Sequence, residues 1–204
     1  SVRGPKHVIK KGKTPVLTAE ECRHLLDSIT TSNIGGLRDR ALLGVMVYSF
    51  ARVSATTGMN VGDFYQSGTR WLIRLNEKGG KYHEVPGHHR CAEYVDRYID
   101  AARIREERKS PLFRALDRRR QLTDRRITRG DVLRMVKRRA RKAGLPNEIS
   151  CHSFRATGIT AYLEAGGTLE NAQAIAAHES PRTTRLYDRT SDAISLDEIE
   201  RIQI

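Results

Sequence analysis

Between Ser150 and Thr190 the chain carries two apolar helical runs joined through a Gly166-Gly167 pair, and this stretch constrains the fold more than any other. It reads SCHSFRATGITAYLEAGGTLENAQAIAAHESPRTTRLYDRT. His152 and Arg155 stand three residues apart, so on a helix they share a face and point at one ligand. The glycine pair stops that helix. A second run, Leu169 to Ala177, delivers His178 at its end, and nine residues later Thr183-Thr184-Arg185-Leu186-Tyr187 presents a phenol. Packed on one core, the two runs could gather two imidazoles, a guanidinium and a phenol in one site.

The totals narrow the partner. A chain of 204 residues suffices for one sizeable core, so one domain is expected. With 37 Lys and Arg against 24 Asp and Glu, the formal charge is +13, which points to a polyanion. Aromatic residues make up only 6 %, too few for a platform that stacks unpaired bases, so the duplex backbone is the expected target. Cys22, Cys91 and Cys151 are far apart, with no C-x-x-C and no metal-ligand spacing, and read as reduced thiols. No stretch approaches the roughly 20 apolar residues of a membrane span. The expectation is a cytoplasmic protein without metal or cofactor.

Along the chain, residues 1–16 hold four lysines, one arginine, two prolines and two glycines with no period, as a basic linker or arm does. Thr18-Ala19-Glu20-Glu21 is a capping box opening a helix with Cys22, Leu25, Leu26 and Ile29 as its apolar stripe. After a Gly35-Gly36 break, Leu37 to Phe50 reads as a buried helix that carries Arg52 to its edge, where a charge needs a partner or a ligand. Trp71 to Leu75 and Tyr82 to Pro86 read as a β-hairpin around a Gly-Gly turn containing Lys78 and Lys81. Ala92 to Ala102 is amphipathic and helical; Arg103 to Arg129 is charge-rich loop with a short strand or turn, its Arg118-Arg119-Arg120 cluster a solvated face. Thr128 caps a basic helix, Val132 to Lys142, whose Arg134, Lys137 and Arg138 are expected to face DNA, as is Arg182. The fold class is mainly α with a small antiparallel β-hairpin sheet. Residues 17–190 form the domain, and 191–204 a tail helix with Ile194, Ile199 and Ile202 on one face.

Two boxes carry more than their residues do singly. His152-Ser-Phe-Arg155-Ala-Thr followed by His178-Glu-Ser-Pro-Arg-Thr-Thr-Arg-Leu-Tyr187 resembles the tyrosine recombinase (phage integrase) family, in which H-x-[LF]-R-x-T precedes H-x-S-x-x-T-T-x-x-Y. Ala51-Arg52-Val53-Ser54 matches that family's first catalytic box, and Lys78-Gly-Gly-Lys81 before a Val-Pro step resembles its hairpin. Ala55 departs from the pattern: the family usually has Glu there, which leaves the support of Arg52 unassigned. The resemblance implies the recombinase catalytic-domain fold, duplex DNA as partner, neighbouring protomers in a tetrameric synapse of the full-length protein, and a monomeric isolated domain. A helical DNA-binding domain ordinarily precedes this one in the family.

It also implies a mechanism. Tyr187 attacks the scissile phosphate, giving a 3′-phosphotyrosyl intermediate. A phenol is almost wholly protonated near neutral pH, so it needs a base and a stabilised transition state. His152 is the expected base, Arg52 and Arg155 the forks for the non-bridging oxygens, and His178 a further donor. Lys78 would protonate the departing 5′ oxygen, and Lys81 would contact phosphate. The alternatives are type IB topoisomerase-like strand cleavage, whose class tends to carry Lys where His152 stands, and a non-catalytic DNA-binding module.

Overall fold

The computed structural model describes residues 14–77 and 82–188. Lys78, Lys81, most of the basic arm and the tail helix lie outside the described residues.

The first helix, α1 (Ala19–Asp27), opens on the expected capping box: Glu21 N–H donates to Thr18 Oγ1 at 3.1 Å and Thr18 N–H to the Glu21 carboxylate at 2.8 Å. Leu17 N–H donates to the Thr157 hydroxyl at 3.0 Å, fastening this end of the chain to a helix 140 residues on. The second helix, α2 (Ile34–Tyr48), is buried nearly all round, with Leu42, Leu43, Val45 and Met46 at 0 % exposure. Each such side chain contributes about 1.5–3 kcal/mol through burial, so α2 is the axis of the domain.

Gly35-Gly36, expected to break the chain, lies inside α2 instead. Asn33 caps the helix by accepting from Gly36 N–H at 2.9 Å, and a Cβ on Gly36 would sit 1.7 Å from the Thr30 carbonyl oxygen. Glycine is present here to let the α1–α2 connection fold back onto the helix. A short α3 (Val53–Gly58) follows, its N-cap being Arg52.

The expected hairpin is present as β2 (Arg70–Asn76) and β3 (Tyr82–Pro86), but a strand before them, β1 (Phe64–Ser67), completes a three-stranded antiparallel sheet in the order β1-β2-β3. Phe64 pairs with Ile73 and Ile73 with Val85, so one cross-strand row faces the core. Phe64 is the one buried residue of β1, which is why no alternation marked it. Next come α4 (His89–Ala102) and a second hairpin, β4 (Arg114–Leu116) with β5 (Leu122–Arg126), in the stretch read as charge-rich loop with a short strand or turn. It lacks apolar alternation because ion pairs hold it: buried Arg114 bonds to Glu107 and, at 3.1 Å, to Asp124.

The chain closes with α5 (Arg129–Lys142), α6 (Cys151–Glu164), α7 (Leu169–Ile175) and α8 (Pro181–Arg185). α2 packs on α4 and on α6. A satellite cluster of Phe50, Ile159, Leu163, Ala172 and Ala176 joins the end of α2 to α6 and α7, and Tyr187 packs on it. Among the described residues no helix is long and apolar enough to cross a membrane.

Candidate active site

The site forms where α2, α6 and α7 meet, and one buried side chain joins their ends. Arg155, 4 % exposed on α6, donates from Nη1 to the Phe50 carbonyl and from Nη2 to the Ala176 carbonyl, the latter at 2.6 Å. Phe50 stands two residues before Arg52 and Ala176 two before His178, so a single guanidinium fixes the segments that deliver both. Both segments turn through left-handed backbone at non-glycine residues, Phe50 at φ 52° and Ala177 at φ 48°. Such conformations cost about 1–3 kcal/mol each and persist where the surroundings over-determine them; here the Phe50 ring in the satellite core and the two Arg155 bonds do so.

His178 is 8 % exposed, and its Nδ1 is 2.9 Å from the Thr184 hydroxyl on α8. Its own carbonyl accepts from Gln173 Nε2 at 3.1 Å. The Tyr187 ring stacks on the His178 ring with centroids 6.1 Å apart and planes at 12°. The Thr160 hydroxyl donates to the Tyr187 carbonyl at 3.1 Å, so α6 fixes the backbone of the phenol as well as Arg155.

Electrostatics single out two of these residues, Arg155 and His178. Burial, reinforced by the Arg52 charge and partly offset by Glu77 and Tyr187, pushes Arg155 down to about 10, which still leaves it cationic at neutral pH. Burial first, then Arg155 and Arg52, push His178 down to about 4. His178 is thus a neutral imidazole in the free protein. In the tautomer in which Thr184 donates to Nδ1, Nε2 carries the proton and can donate to an anionic oxygen.

The cleft beside these groups has a volume of about 810 Å³, and its lining includes Arg52, Glu77, His83, Gln173, His178 and Thr183. His83, on β3, lies 2.9 Å through Nε2 from the Ile175 carbonyl, holding the end of α7 against the sheet. His152 is exposed on the first turn of α6, one turn ahead of Arg155.

Glu77 is the residue that sequence reasoning missed. It lies at the hairpin connection next to Lys78 in sequence, yet it is 8 % exposed and its carboxylate forms an ion pair with Arg52. The one available signal was indirect: with Ala55 in place of a carboxylate, the partner of Arg52 had to come from elsewhere.

The expected DNA-facing cations of α5 are engaged by protein acceptors. Arg134 bonds to Asp131 at 2.5 Å, Lys137 to the Asn147 carbonyl, and Arg138 to Asp39 at 3.3 Å. Asp39, 1 % exposed, also holds Arg38 and Arg139, each at 2.7 Å, so part of this basic face compensates a buried carboxylate. Arg182 is exposed on α8, next to Thr183 of the cleft.

The chain is 29 % identical over 191 residues to the tyrosine recombinase XerC of Chlamydia pneumoniae, covering 94 % of this chain and 59 % of the relative. It is 32 % identical over 187 residues to the tyrosine recombinase XerD of Bifidobacterium longum, covering 86 % and 58 %. The chain therefore spans a little over half the length of these relatives. The fold matches that of the XerH site-specific recombinase bound to difH substrate in a pre-cleavage complex, with a TM-score of 0.71 at 22 % identity over 96 % of this chain and 55 % of that one. XerA recombinase gives the same score at 22 % identity over 97 % and 65 %. The model of the phage integrase family matches residues 15–193, and with the site's geometry this places the chain in the phage integrase family.

Proposed function

We propose that this chain is the catalytic domain of a site-specific recombinase that cleaves and rejoins duplex DNA through a 3′-phosphotyrosyl ester on Tyr187. The observation that carries the reading is the junction built by Arg155, which fixes the segments bringing Arg52 and His178 to one cleft, with the Tyr187 ring stacked on His178. The Tyr187 oxygen attacks phosphorus and the bond from phosphorus to the 5′ oxygen breaks. The phenol proton passes to His152, and Lys78 protonates the departing 5′ oxygen, which would otherwise leave as a strongly basic alkoxide. Arg52, Arg155 and the Nε2 proton of His178 stabilise the charge on the non-bridging oxygens. The energy of the broken bond is retained in the tyrosyl ester, so rejoining needs no nucleotide cofactor.

Duplex DNA and neighbouring protomers are the partners this reading requires. Related proteins are described in such states, XerH in a post-cleavage complex with difH and lambda integrase as a dimer on a core site. Lys81, Arg134, Lys137, Arg138 and Arg182 are the proposed backbone contacts, those on α5 by exchanging protein acceptors for phosphate. The tail helix would dock on a neighbouring protomer in a full-length tetrameric assembly.

Incubation with a nicked suicide duplex tests the proposal. A denaturant-resistant protein–DNA adduct is expected with the wild-type protein and none with Tyr187→Phe, whose affinity for duplex should be almost unchanged. An adduct that persists in Tyr187→Phe would move the nucleophile elsewhere.

A further inference from the structure

Arg52 is held from an unexpected direction. Position 55, one turn along α3, carries alanine, and that alanine is 1 % exposed in the main core. The carboxylate that meets Arg52 comes from the other side of the cleft: Glu77, immediately after β2 and 25 residues along the chain, pairs with Nη1 of Arg52. The partners differ in exposure, the Glu77 side chain at 6 % and that of Arg52 at 34 %. A buried carboxylate hydrogen-bonded to a guanidinium fixes that guanidinium in place. The bond engages one terminal nitrogen of a planar fork that has several donors, so the same Arg52 can still address phosphate oxygens.

Glu77 also answers a charge problem. Arg52 and Arg155 lie close enough to act on each other electrostatically, and both act on His178. The two guanidinium charges, Arg52 and Arg155, disfavour each other unless an anion lies near them. Glu77 acts on Arg155 in the opposite sense from Arg52, so it lies within reach of both.

We infer that Glu77 is a positioning residue for catalysis, a carboxylate supplied by the hairpin that orients the Arg52 guanidinium toward the scissile phosphate. The inference rests on the recombinase reading above. Glu77 touches no reacting atom; it acts through Arg52, and it holds Arg52 in the free protein as it would in the DNA complex.

Single-turnover cleavage of the suicide duplex by Glu77→Gln, Arg52→Ala and the double variant tests it, with duplex affinity and thermal unfolding measured alongside. Glu77→Gln should slow cleavage by about ten- to a hundredfold with little change in affinity. In the Arg52→Ala background the same change should cost almost nothing further, because its effect runs through the missing guanidinium. Glu77→Asp, which keeps the charge but withdraws it by one methylene, should fall between wild type and Glu77→Gln and serves as the readout if Glu77→Gln does not fold. A wild-type rate in Glu77→Gln or, where that variant does not fold, in Glu77→Asp overturns the inference. So does a loss that multiplies in the double variant. Faster cleavage by Glu77→Gln would overturn it in a specific way, making the carboxylate a competitor of the phosphate. Absence of an adduct with the wild-type protein would instead overturn the recombinase reading itself.

Discussion

At the scale of single residues, His178 is the group whose chemistry depends most on where the fold puts it. An unfolded imidazole takes up its proton near 6.5, whereas burial and the two nearby arginines hold the folded one neutral down to about 4. Between those values the unfolded chain binds more protons at this site, so the folded state loses stability as pH falls through that window. The contribution, up to about 3 kcal/mol, is fully present above the unfolded value. Urea unfolding at pH 7.5 and pH 4.5 should show this dependence in the wild type, and His178→Asn should show less of it. An equal pH dependence in both would mean that His178 is not held neutral. Tyr162, the other tyrosine near the boxes, is accounted for by packing: its ring meets Phe50 edge-on with centroids 6.0 Å apart, and a Cβ on Gly167 would lie 2.1 Å from it.

At the scale of elements, the contact between α2 and α6 decides whether the site exists. Gly158 follows Arg155 by one turn, and a Cβ there would lie 2.1 Å from the Val47 carbonyl oxygen and 2.8 Å from the Phe50 ring. Backbone cannot yield as the tip of a side chain can, so Gly158→Ala must push α6 off α2. Overpacking of this kind costs about 1–3 kcal/mol, occasionally more. The displaced helix would carry Arg155 away from the Phe50 carbonyl. The expected outcome is a lower Tm together with a loss of cleavage larger than the loss of duplex affinity. Unchanged cleavage in a folded Gly158→Ala protein would show that the junction tolerates movement. Helix packing here sets chemistry, because the bond to the α2 end is made by a side chain on the helix that would move.

At the scale of the whole molecule, charge governs association. The 37 Lys and Arg behind the net charge of +13 are only partly free to meet a polyanion, since Asp39 alone engages three arginines and Arg114 is held by Glu107 and Asp124. If about six phosphates are neutralised, the logarithm of affinity should fall with the logarithm of salt concentration at a slope near −5. A duplex titration from low to physiological salt measures it, and a flat dependence would refute backbone-dominated binding. Exposed pairs such as Arg134–Asp131 contribute little to stability. Exchanging such a pair for a phosphate contact therefore costs the fold little, whereas drawing Arg139 from Asp39 would leave a buried charge short of partners.

What the sequence by itself determined is what local order carries. The capping boxes at Thr18 and Thr128 and the helical period placed most helices to within a few residues. The two boxes named Arg155, His178 and Tyr187, which the fold brings together, because residues 23 and 32 apart along consecutive helices and the turns that end them have few ways of packing on one core. Tertiary structure alone decided the rest. It chose the Phe50 carbonyl, 105 residues from Arg155, and the Glu77 carboxylate, 25 residues from Arg52, as partners. It also turned Gly35-Gly36 from a break into part of a helix, and built two strand pairings without an apolar period to announce them. These outcomes depend on which backbone approaches which across the core, and on where burial leaves a charge in need of a partner. Neither is written in the neighbours of any one residue.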